Sequence, residues 1–357
     1  MSGARLAGLA LLATLFAPAC GGAPRVRTGL TPQPYATPAV VDRAGLVDEV
    51  AQTVRESYRA LNGGYEEAYL DGLARDARLV LIDVGSEVVV GFDPLACRLR
   101  RQIADARSEF VSRRLDVQVS DDGTVAWTHD ALSYRAWRGG RRVLVPLRAT
   151  AVFERRTGRW LVVQQHVSYA LLDEDLRAVA PARAPLPVGE LGEHTSPGGE
   201  SARALVLGLI RGTAKSAPSF VIGPTPDAEL HGADARRAGT IPLQLGDGSL
   251  ARVRDLRVTL SRSARVAWAA ANLEATLPGA DGDTSLALRA TWVLVRASEG
   301  DAWLVAQTHL SAPVSLVERV FGAMVAVTGG AGQLDSSPPA SALPAGARGT
   351  RSAGSAR

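Results

Sequence analysis

The residues best suited to chemistry sit in one stretch that occurs twice. Trp160-Leu161-Val162-Val163-Gln164-Gln165-His166-Val167-Ser168 returns as Trp303-Leu304-Val305-Ala306-Gln307-Thr308-His309-Leu310-Ser311. In a strand, successive side chains alternate between faces. Trp160, Val162, Gln164, His166 and Ser168 are therefore expected on one face, and Trp303, Val305, Gln307, His309 and Ser311 on its counterpart. A neutral imidazole there would serve as a general base, and a guanidinium would stabilise an oxyanion. Arg148 shares a face with Thr150 and Val152, and Arg289 stands at the matching place in the second copy. If the two strand faces meet, Trp127, Arg148, Gln164 and His166 line one cavity, as do Trp268, Arg289, Gln307 and His309 in the repeat. A structural reading competes: Gln, His and Ser satisfy each other across a sheet while Trp packs on a helix. That reading gains from both copies keeping the pattern, since two active sites are not required.

His129 and Asp130 are the other catalytic candidates, beside His166 and Arg148. As strand neighbours they point to opposite faces and form no direct dyad. Ala270 and Ala271 replace them in the repeat, so chemistry there would belong to the first copy alone. Asp83 and Glu87 flank a turn and read as caps or solvated charges. His194 falls in a linker, and His231 on a short strand or loop. No spacing suits a metal, no Gly-x-Ser-x-Gly elbow occurs, and no glycine-rich phosphate loop appears, so neither cofactor nor metal is expected.

These residues need a scaffold, and the chain supplies two. Leu46, Val47, Val50, Val54, Tyr58 and Leu61 make a helical stripe ended by Asn62-Gly63-Gly64. Tyr65, Tyr69 and Leu73 carry a second short helix, Leu79–Ile82 and Val88–Val90 short strands, and Asp93-Pro94 caps and opens a third helix. Leu115–Val119, Thr124–Trp137, Val143–Glu154 and the Trp160 strand then alternate as an antiparallel meander. After a Pro- and Gly-bearing stretch at 176–198 the order returns: a helix at Leu205–Ile210, then Asp255–Val258 matching Asp116–Val119, Val266–Trp268 matching Val125–Trp127, and Leu288–Thr291 matching Leu147–Thr150. The separation is about 140 residues, which is domain-sized rather than a solenoid period. The second copy is leaner, with a very short helix near 233–237 and a closing helix through Leu316–Met324.

At 357 residues the chain accommodates two cores, and 46% of it is hydrophobic. The formal charge of +4 is nearly all arginine, since Lys215 is the only lysine. Arginine pairs are spread among acids with few aromatics between them, a poor footprint for nucleic acid. At the N-terminus, Arg5 precedes the apolar run Leu6–Phe16, too short to span a bilayer, and Ala17-Pro18-Ala19-Cys20 follows. This resembles the lipobox of bacterial lipoproteins and implies acylation of Cys20; Ala17 and Pro18 depart from its usual form, and plain secretion after cleavage at Ala19 is the alternative.

Three helices and a curved meander ending on Trp-x-x-x-x-x-His-x-Ser resemble the nuclear-transport-factor-2-like (NTF2-like) superfamily, and its SnoaL-like branch above all. Leu147–Thr150, Thr157-Gly158-Arg159 and Trp160–Ser168 carry the likeness, with Leu288–Thr291 and Trp303–Ser311 in the repeat. It implies an α+β fold of two tandem cone-shaped domains, each with a pocket between helices and sheet. The expected layout is a signal peptide at 1–19, lipidated Cys20 and a tether at 20–40, domains at 41–175 and 199–327, a linker at 176–198, and a disordered tail at 328–357. Both faces of the final strands are rich in apolar side chains, so the domains are expected to pair with each other. The signal, the tether, the duplication and the missing catalytic set point to a membrane-anchored extracytoplasmic scaffold or binder of a small apolar ligand or protein partner. The alternative is a cofactor-free isomerase, dehydratase or hydrolase working in the first domain.

Overall fold

The computed structural model describes residues 42–84, 88–104, 108–138, 141–169, 189–214, 220–222, 229–231, 250–277 and 284–313. The signal segment, tether, short helix near 233–237, closing helix and tail named above lie outside these residues.

The first domain opens with α1 (Arg43–Gly63) and α2 (Glu66–Asp71), continues through β1 (Val80–Ile82), β2 (Val88–Val90) and α3 (Phe92–Ala104), and ends in the meander β3 (Ser108–Val119), β4 (Val125–Arg138), β5 (Arg141–Arg156) and β6 (Arg159–Tyr169). Asp42 caps α1 by accepting from the Gly45 amide, and Gly64 ends it at φ 71°, a left-handed conformation open to glycine. The third helix begins one residue before its expected cap: Phe92 already donates its amide to Asp76 O, and Asp93 and Pro94 fall in the first turn. Thr157 and Gly158 both have positive φ, the two-residue turn whose twist suits an antiparallel hairpin.

The six strands run in the order β2-β1-β6-β5-β4-β3, with β1 parallel to β6 and the other pairings antiparallel. The second domain repeats this with β7 (His194–Thr195), α4 (Glu200–Ile210), β8 (Phe220–Ile222), β9 (Glu229–His231), β10 (Leu250–Leu260), β11 (Val266–Leu277), β12 (Thr284–Val295) and β13 (Leu304–Ser311). Its order is β7-β10-β11-β12-β13-β8-β9. Ile82 lies opposite His166, and Ile222 lies opposite His309, so the repeat holds to the residue. The end of the stretch expected as linker is built into the fold: Leu191 is buried and β7 pairs with β10.

Strand pairing corrects one match drawn from sequence. Val117 lies opposite Thr128, and Val258 lies opposite Ala269, so Asp116–Val119 correspond to Arg257–Leu260 and not to Asp255–Val258. The same alignment brings both β-bulges of that hairpin to arginine, Arg113 in one copy and Arg254 in the other.

A second pair of bulges decides which face each side chain takes. Val152 lies opposite Gln164 while Phe153 lies opposite Val162, leaving Val163 as the extra residue. Ala306 is the extra residue in the repeat. A bulge breaks strict alternation. Trp160 and Val162 therefore turn to the concave side, in one core with Leu46, Val50, Phe153 and α1, while Gln164, His166 and Ser168 turn to the outer side. The expectation of one continuous face from Trp160 to Ser168 fails at this bulge. Trp160 Nε1 donates to Glu49 Oε2 on α1 (3.1 Å), and Trp303 Nε1 to Ser201 Oγ on α4 (3.0 Å), so each tryptophan ties its sheet to its helix. A hydrogen bond to a charged acceptor contributes about 1.5–3 kcal/mol.

The β5–β6 hairpin is locked to the segment before β1 by buried charge. Arg156 donates to Glu154 Oε2 (2.6 Å) and Asp76 Oδ2 (2.8 Å), and Arg78 also pairs with Asp76 (3.0 Å). Burial pushes the Asp76 carboxyl up, but Arg78 and Arg156 outweigh it and hold it below its ordinary value. Without Arg156, the buried Glu154 and the half-buried Asp76 share Arg78 alone, at 3.6 and 3.0 Å. Arg156→Met is expected to cost about 3 kcal/mol, read as a lower Tm. The loss should shrink at acid pH, once Asp76 takes up a proton below the ordinary carboxylate range.

Candidate functional site

The outer face of β6 does not meet solvent. Val125, Trp127, Val152 and Val163 of the first sheet pack with Val266, Trp268, Val293 and Ala306 of the second in one apolar cluster. At its centre the His166 and His309 rings stack with centroids 3.8 Å apart and planes 16° from parallel. His166 Nδ1 meets Thr291 Oγ1 at 3.2 Å and its Nε2 meets Ser311 Oγ at 2.7 Å. His309 mirrors this, with Nδ1 at 3.0 Å from Thr150 Oγ1 and Nε2 at 2.8 Å from Ser168 Oγ. Each imidazole is thus held by two hydroxyls, one pair from each domain.

Two buried arginines flank the rings. Arg148 donates through Nη2 to Tyr169 O (2.8 Å) and approaches Ser168 Oγ (3.5 Å). Arg289 donates through Nη1 to Asp83 O of the first domain and approaches Ser311 Oγ (3.4 Å). Each serine oxygen has two lone pairs, so it accepts the guanidinium N–H and still partners Nε2; a neutral ring, donating from one nitrogen and accepting at the other, satisfies both of its hydroxyls. Burial and then the charges of Arg289 and Arg148 hold His166 well below the usual imidazole range. His309 is held down by burial, then by His166, Arg148, His129 and Arg289. Burial lowers the Arg289 guanidinium to about 10.

Every residue proposed from the sequence as cavity lining falls on this outer face. Trp127, Arg148, Gln164 and His166 share it with Trp268, Arg289, Gln307 and His309, all of them buried. Gln307 Nε2 reaches Thr128 O of the other domain (3.2 Å). His129 is also buried on this side, opposite Thr150 in register and with Nδ1 3.7 Å from Asp116 Oδ2. The faces of β5 and β6 do meet, but against the second sheet rather than around the cone. The cause is parity: the concave side holds Leu147, Ala149, Ala151 and Phe153 of β5 and Val162 and Gln165 of β6.

Asp130 alone among the candidates turns inward. The first cone keeps a cavity of about 30 Å³ lined by Val54, Ser57, Tyr58, Tyr69, Thr128 and Gln165, among others, which is room for a water molecule or two. Ser112 Oγ donates to Asp130 Oδ1 (2.9 Å), the Tyr58 hydroxyl is hydrogen-bonded to the same carboxyl, and Tyr69 OH donates to Gln165 Oε1 (3.2 Å). Burial pushes Asp130 up to about 7, against the bonds from Ser112 and Tyr58 and with a smaller push from Asp116. Sequence reasoning missed Tyr58, Tyr69, Ser112 and Gln165; the signal was that Gln165 and Asp130 share the parity opposite to the motif. The second cone lacks this set. Ala269 and Ala271 stand for Thr128 and Asp130, and Trp292, buried, stands where the first cone has Ala151. Among the described residues no group of three His, Cys, Asp or Glu side chains is placed to hold a metal.

The model of the SnoaL-like domain matches residues 50–172 and 215–315, together more than half of the chain. Similar solved structures include a candidate dehydratase of the NTF2-like family from Streptomyces avermitilis (18% identity, 36% of this chain and 99% of that one, TM-score 0.34). An NTF2-like protein of unknown function from Shewanella oneidensis MR-1 matches at 20% identity over 34% of this chain and 97% of its own, with a TM-score of 0.28. An NTF2-like protein with a cystatin-like fold from Novosphingobium aromaticivorans matches at 17% identity over 37% and 86%, with a TM-score of 0.31. No curated protein matches the chain. The topology of both sheets and the two matched stretches lead to one conclusion: the chain belongs to the SnoaL-like domain family and carries that α+β domain twice.

Proposed function

We propose that the protein is a lipid-anchored, extracytoplasmic NTF2-like protein whose two domains pair as one unit and bind a small molecule or protein partner without catalysis. The observation that carries the non-catalytic part is the His166–His309 stack. A general base must come within about 3 Å of the proton it takes. Both nitrogens of each ring already meet hydroxyls, and neither ring has exposed surface. The second cone, with Trp292 on its concave face, adds to that reading. Pairing is supported by the apolar cluster shared between the sheets and by Leu191 and Ala270 packing on Val80 and Ile82. Anchoring rests on the signal-like segment and Cys20. No described helix is long and apolar enough to cross a membrane.

One observation favours the enzymatic alternative and confines it to the first cone. Asp130 is a buried carboxyl near 7 beside the Tyr58 hydroxyl, a pairing able to give and take a proton at neutral pH. It would act on a small, mostly apolar molecule, and the cavity would have to widen to admit one.

Three experiments test these statements. Cys20→Ala should move the protein from the membrane to the soluble fraction; equal fractionation of parent and variant would end the anchoring proposal. Residues 41–175 expressed alone should self-associate through the uncovered outer face, whereas a soluble monomeric fragment would count against pairing. The third variant is Asp130→Asn. The folded carboxyl titrates above its unfolded value near 3.9, so its ionisation opposes folding increasingly as pH rises between the two values. The variant should therefore gain Tm relative to the parent, more at about pH 8 than at about pH 5. If the parent converts small hydroxy or keto compounds and Asp130→Asn does not, the enzymatic alternative replaces the non-catalytic one.

A further inference from the structure

The stacked histidines lie where two domains of one chain meet, and their surroundings are arranged for neutral rings only. The charged and titratable groups that face them come from several elements. Arg148 is on β5, Arg289 on β12 and His129 on β4. Asp83 follows β1 and gives its backbone carbonyl to Arg289, while its carboxylate pairs with Arg98 (3.0 Å). Asp116 on β3 lies 3.7 Å from His129. Among the described residues, neither stacked ring has a carboxylate at ion-pair distance. The positive neighbours are Arg148 and Arg289, and each ring's other near neighbour is a second imidazole 3.8 Å away. The charge of an added proton would sit between two guanidiniums and against the partner ring. Opening the interface removes the partner ring and the other domain's guanidinium from each histidine and lets water screen the arginine that remains on its own sheet.

We infer that the His166–His309 stack is an acid-sensitive latch: it holds the two domains together while both rings are neutral and releases them when the rings take up protons. The inference rests on the pairing proposed above and goes beyond it. In the closed form both rings resist protonation far below the ordinary imidazole value, and in the open form they return to about 6.5. The open form therefore binds protons more tightly. Closure is at full strength above about pH 6.5 and weakens as pH falls. Each ring contributes a factor of about ten in the opening equilibrium per pH unit below that value, so the pair contributes about a hundredfold.

The test places spin labels at two exposed positions, Tyr65→Cys in the first domain and Leu304→Cys in the second, in full-length chain carrying Cys20→Ser and Cys97→Ser. Pulsed electron paramagnetic resonance gives the distance distribution between about pH 8 and about pH 4, with circular dichroism confirming that both sheets persist. A single short distance at neutral pH that gives way to a broad, longer one under acid is the expected result. The logarithm of the open-to-closed ratio should lose one unit of slope against pH in His166→Gln, one in His309→Gln and two in the double variant. A distance that stays short throughout, with the sheets intact, overturns the latch and leaves the pairing standing. Labels already far apart at neutral pH in the parent overturn both. If the double variant is open at every pH, the single variants decide: a slope one unit below the parent's supports the latch, and an undiminished slope ends it.

Discussion

Burying a polar ring costs free energy unless each of its hydrogen-bonding atoms finds a partner, and that constraint governs where the two sheets touch. His166 and His309 are each satisfied by a threonine and a serine of the other domain. Neither set of partners is available within a single copy, so the residues of one repeat are meaningful only against the other. The same holds for Arg289, whose guanidinium reaches the Asp83 carbonyl across the contact. Valines and tryptophans around this centre exclude water, which strengthens the hydrogen bonds inside and raises the cost of any unmet one. A polar centre in an apolar ring fixes register more sharply than an apolar contact alone would, since a slip of one residue would orphan every member.

The two cones have diverged more than their outer faces, which keep the Trp-Arg-Gln-His set and differ at His129 and Ala270. The first has alanines at 149 and 151 and retains a small cavity lined by Tyr58 and Gln165, with Asp130 hydrogen-bonded to Tyr58. The second carries Trp292 and a run of alanines on β11, and α4 covers it. In the function proposed above, the second domain holds the first, while the first cone, with its cavity and protonatable carboxyl, keeps the means to bind. Division of labour of this kind follows from duplication, because only one surface, the shared one, has to be kept in both copies.

The bulges at Val163 and Ala306 link these two features. By adding one residue they let Trp160 and Trp303 anchor helices on the concave side while Gln164, His166 and Ser168, with their repeats, face outward on the same strand. Without that extra residue the tryptophan and the histidine would share a face, and the strand would serve either its own core or the domain contact but not both.

Much of this was legible in the amino-acid sequence. Hydrophobic spacing marked α1 and the meander, Thr157-Gly158 marked the hairpin turn, and the doubled Trp-to-Ser stretch marked the duplication, because each depends on residues near one another in the chain. His129 and Asp130 were separable to opposite faces by parity alone. What sequence could not supply was the parity change inside β6, since a bulge is set by the pairing of two strands and leaves no mark in one of them. It also could not say which face of the sheet was inside the cone. That was decided by what covers each face: α1 packs on the side of Phe153 and Val162, and the second sheet packs on the side of His166. The amino-acid order specified two domains and their elements; the meeting of His166 with His309, 143 positions away, arises only when both sheets are folded and in contact.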